Sequence, residues 1–145
     1  MSRFLLDVNA LLALLDPMHV HHEAAHDWYG KRPQRRLLTC SHVENGVIRV
    51  ASQPKYPNCL GTSGRVREAV QKFIRQARPE RCDQEVTLVD DNVLLRPELL
   101  TPSRISNLYL LALAAAHAAR LATFDRRIPA AAVAGGCKAL EMIPI

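Results

Sequence analysis

A chain of 145 residues is long enough to bury a core without disulfide or metal staples, and one domain spanning 1–145 is expected. Its net charge of +5, from 19 Lys and Arg against 14 Asp and Glu, permits a polyanionic partner without requiring one. No apolar run reaches membrane-span length, and no basic region followed by a cleavable apolar stretch opens the chain, so a soluble, cytoplasmic protein is expected. Cys40, Cys59, Cys82 and Cys137 are scattered, with no Cys-x-x-Cys pair. That spacing argues against a zinc knuckle and a disulfide scaffold, and leaves the cysteines as expected small core fillers.

In chain order, residues 3–7 read as a buried strand and 10–16 as a short apolar helix that Asn9 can cap and Pro17 ends. A second helix is expected from His22 to Tyr29, stopped by Gly30 and Pro33. Leu37–Cys40 reads as a strand, and His42 to about Ala51 as a helix. Residues 53–63, with Pro54, Pro57 and Gly61, read as a loop. The basic segment 65–78 reads as an amphipathic helix with Val66, Val70, Phe73, Ile74 and Ala77 on one face. Glu85–Val89 is expected to be a third strand, and Pro97 and Pro102 limit any helix over 91–100. Residues 107–119 are apolar on nearly every face and predict a buried helix, followed by strands over 120–124 and 139–143. Strands alternating with helices predict an α/β fold with a mainly parallel sheet covered on both faces.

Two apolar segments end in an aspartate, Phe4-Leu5-Leu6-Asp7 and Leu121-Ala122-Thr123-Phe124-Asp125. Side chains at the carboxyl ends of parallel strands line the ligand crevice, where a carboxylate is better placed to hold a cation than to pack. Asp7 therefore reads as functional, since Asn9 offers the next helix its cap. Local sequence offers other roles at three further positions, likelier for Glu44 and equally good for Asp125. Ser41-His42-Val43-Glu44 fits a capping box in which Glu44 ties back to the Ser41 backbone. Asp125 suits a turn before Arg126-Arg127, and Asn107 suits the start of the buried helix. Arg65, Arg67, Lys72, Arg75, Arg78 and Arg81 crowd into seventeen residues. Such a run is ordinarily a solvated face, but beside an acidic centre it suits a phosphodiester substrate, and Arg65, Arg67 and Arg75 are the expected contacts to its phosphate backbone. A competing motif, His22-Glu23-Ala24-Ala25-His26, matches the helical zinc site of metallopeptidases. It arises easily by chance in a histidine-rich stretch, and only His42 and His117 remain as a third histidine ligand.

The stretches FLLDVNALLALLD (4–16), SHVENGVIRV (41–50) and RISNLYLLALAAAHAARLATFD (104–125), with the Arg-Arg that follows, resemble the PIN-domain ribonucleases, and among them the VapC-type toxins of toxin–antitoxin pairs. The resemblance spans nearly the whole chain. It implies a three-layer α/β/α sandwich and a site built from Asp7, Glu44, Asn107 and Asp125, both catalytic and metal-holding. The third of these positions is usually aspartate in the family. An amide offers an oxygen to a cation but carries no charge, so weaker metal binding is expected, with an inactive RNA- or partner-binding domain as the alternative. The resemblance further implies Mg²⁺ or Mn²⁺ as cofactor and hydrolysis of structured RNA, in transfer RNA or a ribosomal RNA loop, to a 5′-phosphate and a 3′-hydroxyl. A homodimer and a VapB-like antitoxin are the implied partners.

Overall fold

The computed structural model describes residues 2–145. Strands β1 (Arg3–Leu6), β2 (Arg36–Thr39), β3 (Glu80–Arg81), β4 (Arg120–Thr123) and β5 (Leu140–Met142) form one parallel sheet in the order β3-β2-β1-β4-β5. Helices α1 (Val8–Leu15), α2 (His22–Gly30), α3 (Ser41–Ala51), α4 (Ser63–Ala77) and α5 (Ile105–Ala116) connect them. Helices α1 to α4 pack on one another, and α5 packs on β1 and β4. Parallel strands demand right-handed crossovers, which carry α1–α4 to one face of the sheet and α5 to the other. The result is the expected three-layer α/β/α sandwich.

The central strands are apolar because both faces are covered. Leu5 and Leu121 are fully buried and lie opposite each other across the β1–β4 ladder. Helix α5 buries Leu108, Leu110, Leu111 and Leu113, which explains its lack of a polar face. Helix α4 buries Val66 and Val70 and packs Phe73, Ile74 and Ala77 against the core, leaving its basic residues outside. Gly46 brings α3 onto α1: a Cβ there would meet Val8 Cγ2 at 2.7 Å. No helix among the described residues is long and apolar enough to cross a membrane.

Several local expectations are corrected. The segment 85–89 is not a strand, and the edge strand is the two-residue β3 at Glu80–Arg81. Its alternating apolar residues, Val86 and Leu88, pack against the core without joining a ladder. The segment just before them is pinned instead by His117, whose Nε2 accepts the N–H groups of Asp83 and Gln84, each at 3.2 Å. Helix α1 starts two residues earlier than expected and its cap is Asp7, while Asn9 lies inside it. At α3 the capping box does not form. Cys40 occupies the N-cap position without a side-chain hydrogen bond, and Glu44 is drawn to other partners. Cys40 is buried, but Cys59 and Cys137 are exposed and fill no core.

Strand order places the crevice. The chain moves from β1 outward to β2 and β3, then crosses back to β4 and on to β5. The direction reverses between β1 and β4, and in such sheets ligands bind outside the carboxyl ends of the strands at that reversal.

Candidate active site

Asp7 and Asp125 flank the reversal point. Asp7 follows β1 directly, and its N–H donates to Ala122 O of β4 at 3.2 Å, so the two strand ends stand side by side. The Asp7 carboxylate is buried at 3% exposure. Its Oδ1 accepts the Ala10 N–H at 2.7 Å, capping α1, and its Oδ2 accepts the Thr123 hydroxyl. Thr123 Oγ1 in turn accepts the Asp125 N–H at 3.0 Å, linking the two carboxylates through one hydroxyl.

Burial pushes the Asp7 pKa up most strongly. Hydrogen bonds from Thr123 and Ala10 oppose the rise, the nearby Asp125 charge adds to it, and the outcome is a pKa of about 6. A carboxyl in that state favours its charged form once a cation arrives. Asp125 also accepts the Arg127 N–H through Oδ1 at 2.9 Å, so the expected turn forms beside its other contacts.

Asn107 is the third residue of α5, not its cap, and its Nδ2 donates to Asp125 Oδ2 at 3.2 Å. The amide thus faces the second carboxylate and leaves its oxygen available. Asp7, Asn107 and Asp125 line one open cleft of about 630 Å³ together with Asn9, His21, Phe124, Arg126 and Arg127. An adjoining pocket of about 250 Å³ takes in Asn107 and Asp125 again, with Arg104 and Arg127.

Glu44 is placed differently. Its Oε2 accepts the Thr39 hydroxyl at 2.9 Å, and both its oxygens accept Arg81 Nη2 at 2.7–2.8 Å. It is not among the residues lining the cleft. Among the described residues no three His, Cys, Asp or Glu side chains converge to hold a metal. The cleft offers two carboxylates and an amide, a set of hard oxygens suited to Mg²⁺ or Mn²⁺ but short of one charge.

The zinc-peptidase alternative is overturned. His22 Nδ1 and His26 Nε2 bond the carbonyls of Ala13 and Leu14 at 2.7 and 2.9 Å. These are orphan acceptors in the last turn of α1, so the motif joins two helices. Arg65, Arg67 and Arg75 are exposed on α4 and do not line the cleft. Ten residues of helix separate the first from the last, about 15 Å. Sequence reasoning missed His21, Arg126 and Arg127 at the cleft, and the buried Thr123 that donates to Asp7. The Arg-Arg pair after Asp125 was the one visible signal.

A PIN-domain model matches residues 4–134. The chain belongs to the PIN-domain family. Within it, Ribonuclease VapC44 of Mycobacterium tuberculosis H37Rv is 39% identical over 136 residues, covering 94% of this PIN domain's chain and 95% of the relative. Ribonuclease VapC38 of the same organism is 35% identical, covering 83% and 84%. These relatives place the PIN domain in the VapC-type branch. The crystal structure of VapBC2 from Rickettsia felis bound to a DNA fragment from their promoter contains a similar chain. It has a TM-score of 0.64 at 16% identity, with 99% and 100% coverage, and supports the fold.

Proposed function

We propose that this VapC-type PIN domain is a Mg²⁺- or Mn²⁺-dependent endoribonuclease toxin. The observation that carries the reading is the pair of strand-end carboxylates, Asp7 and Asp125, facing one cleft at the sheet's reversal point. The hydrogen-bond partners of Asp7 are neutral, so its charge is left for a cation. Asp7, Asp125 and the Asn107 oxygen would hold that ion. When bound, it supplies positive charge to a phosphodiester and lowers the pKa of attacking water.

The chain's own residues do the rest. Thr123 and the Ala10 N–H fix the Asp7 carboxylate at the cleft floor, and the Asn107 amide orients Asp125. Glu44 takes an outer role at the same sheet edge, its charge shared with Arg81. Arg126 and Arg127 provide cationic contact at the cleft, with Arg65, Arg67 and Arg75 tracking the RNA backbone farther off. Structured RNA, in a transfer RNA or ribosomal loop, is the proposed substrate. A VapB-like antitoxin and a second copy of the chain are the proposed partners.

The purified protein incubated with total RNA and Mn²⁺ should give discrete fragments with 5′-phosphate ends, suppressed by EDTA. Undiminished cleavage in EDTA would overturn metal dependence. The Asn107–Asp125 hydrogen bond favours one second reading, an RNA- or partner-binding domain without activity. That reading gains if neither the wild type nor Asn107→Asp cuts RNA.

A further inference from the structure

Four histidines crowd the turn from α1 into α2, and three are tied by ring hydrogen bonds. His22 and His26 hold α1 carbonyls, and His19 Nε2 meets Asn9 Oδ1 at 2.9 Å. His19 Nδ1 accepts the His21 N–H at 3.0 Å, so the proton of its ring sits on Nε2 and is donated to Asn9. His21 is held in another way. Its ring stacks on Phe124, with centroids 4.6 Å apart and planes 23° from parallel. The tilted His19 ring also lies 5.9 Å from it. Phe124 is nearly buried, at 9% exposure, and immediately precedes Asp125. His21, half-buried, lines the same cleft as Asp7, Asn107 and Asp125.

The cleft lining therefore combines carboxylates and arginines with an aromatic ring stacked on a second. Nucleotides divide in the same way: a phosphate that seeks cations and a base whose flat face seeks an aromatic partner.

We propose that the His21–Phe124 stack is a shelf for an unpaired nucleobase of single-stranded RNA, seating the nucleotide beside a phosphate that Arg126 and Arg127 hold next to Asp7 and Asp125. The proposal rests on the ribonuclease reading and deepens it. It makes the substrate an unpaired segment, since a base within a helix cannot offer its face. His21 is a positioning residue, while Phe124 supports it from beneath.

The test is anisotropy of a labelled single-stranded RNA decamer and of the same strand with one abasic nucleotide, in an Asp7→Asn background without metal. His21→Ala should weaken binding of the intact strand roughly 5- to 150-fold, the range that base–aromatic stacking commands. His21→Tyr should restore it, and the abasic strand should bind both variants equally. Circular dichroism melting of each variant confirms folding, and the ratio of intact to abasic affinity cancels global damage. Equal binding by His21→Ala, or a loss that persists on the abasic strand, would overturn the shelf. If the wild type nevertheless cuts RNA with Mn²⁺, only the shelf falls. If it neither binds nor cuts RNA, the ribonuclease reading falls and takes the shelf with it.

Discussion

Asp7 and Glu44 are both carboxylates at the carboxyl edge of the sheet, and both accept a hydroxyl from the last threonine of a strand. Thr123 ends β4 and serves Asp7, while Thr39 ends β2 and serves Glu44. Arg81 makes the difference. It grips both oxygens of Glu44, whereas the other partner of Asp7 is the neutral Ala10 N–H. A carboxylate already neutralised by a guanidinium has little charge left for a metal. One left buried without a counterion costs stability until a cation reaches it. Residue type alone does not separate the two; the neighbouring strand does.

The comparison breaks most visibly in activity. Asp7→Ala should lower RNA cleavage by on the order of 10²–10³-fold or more, as loss of a main electrostatic stabiliser does. Glu44→Gln should cost less, about 10–100-fold, as for a residue acting from outside the inner set. Single-turnover cleavage of one RNA by both variants measures the gap, and equal losses would erase the distinction between them.

In stability the two amide substitutions should differ in sign. The folded-state pKa of Asp7, about 6, lies above its ordinary 3.8, so the folded protein holds this proton more tightly than the unfolded chain. The associated stability is fully present below pH 3.8 and is lost as pH rises through 6. Without metal, Asp7→Asn should therefore stabilise the protein by up to about 3 kcal/mol at about pH 7.5 and by little at about pH 4. Glu44→Gln removes a half-exposed ion pair and should destabilise it by under about 1 kcal/mol at about pH 7.5. Urea unfolding at both pH values tests the pair, and destabilisation by Asp7→Asn at the higher pH would show that its charge is already compensated.

The smallest effect concerns the arginines. Arg81 is engaged by Glu44, while Arg126 and Arg127 are exposed at the cleft. Neutralising Arg126 and Arg127 should flatten the salt dependence of RNA affinity by about 0.7 in log–log slope for each phosphate that no longer meets a cation. Neutralising Arg65, Arg67 and Arg75 should change it less, because α4 does not line the cleft. A greater flattening from the α4 set would move the RNA path to that helix.

Much of this arrangement was legible because parallel strands read as apolar runs and their ends read as punctuation. Phe4-Leu5-Leu6-Asp7 announced both a buried strand and a crevice carboxylate, and the leucines of α5 announced a covered helix. Capping was misread because it depends on competition. Asn9 looked the better cap for α1, yet Asp7 takes that role while also bonding Thr123. Glu44 suited a capping box, yet Thr39 and Arg81, 5 and 37 residues away, draw it from the local backbone. The expected strand at 85–89 failed for a similar reason, since the ring of His117 holds the chain just ahead of it. His21 left no local trace at all, because its partner Phe124 lies far along the chain.

The central claim is that Asp7, Asn107 and Asp125 together hold a divalent cation. Asn107 lies inside α5 and reaches Asp125, so capping does not account for it. Calorimetric titration of Mn²⁺ into the wild type and Asn107→Asp tests the claim most directly. A third carboxylate facing Asp125 should tighten binding by about 10–100-fold. Identical affinities in the two proteins would contradict the claim and remove position 107 from the metal site.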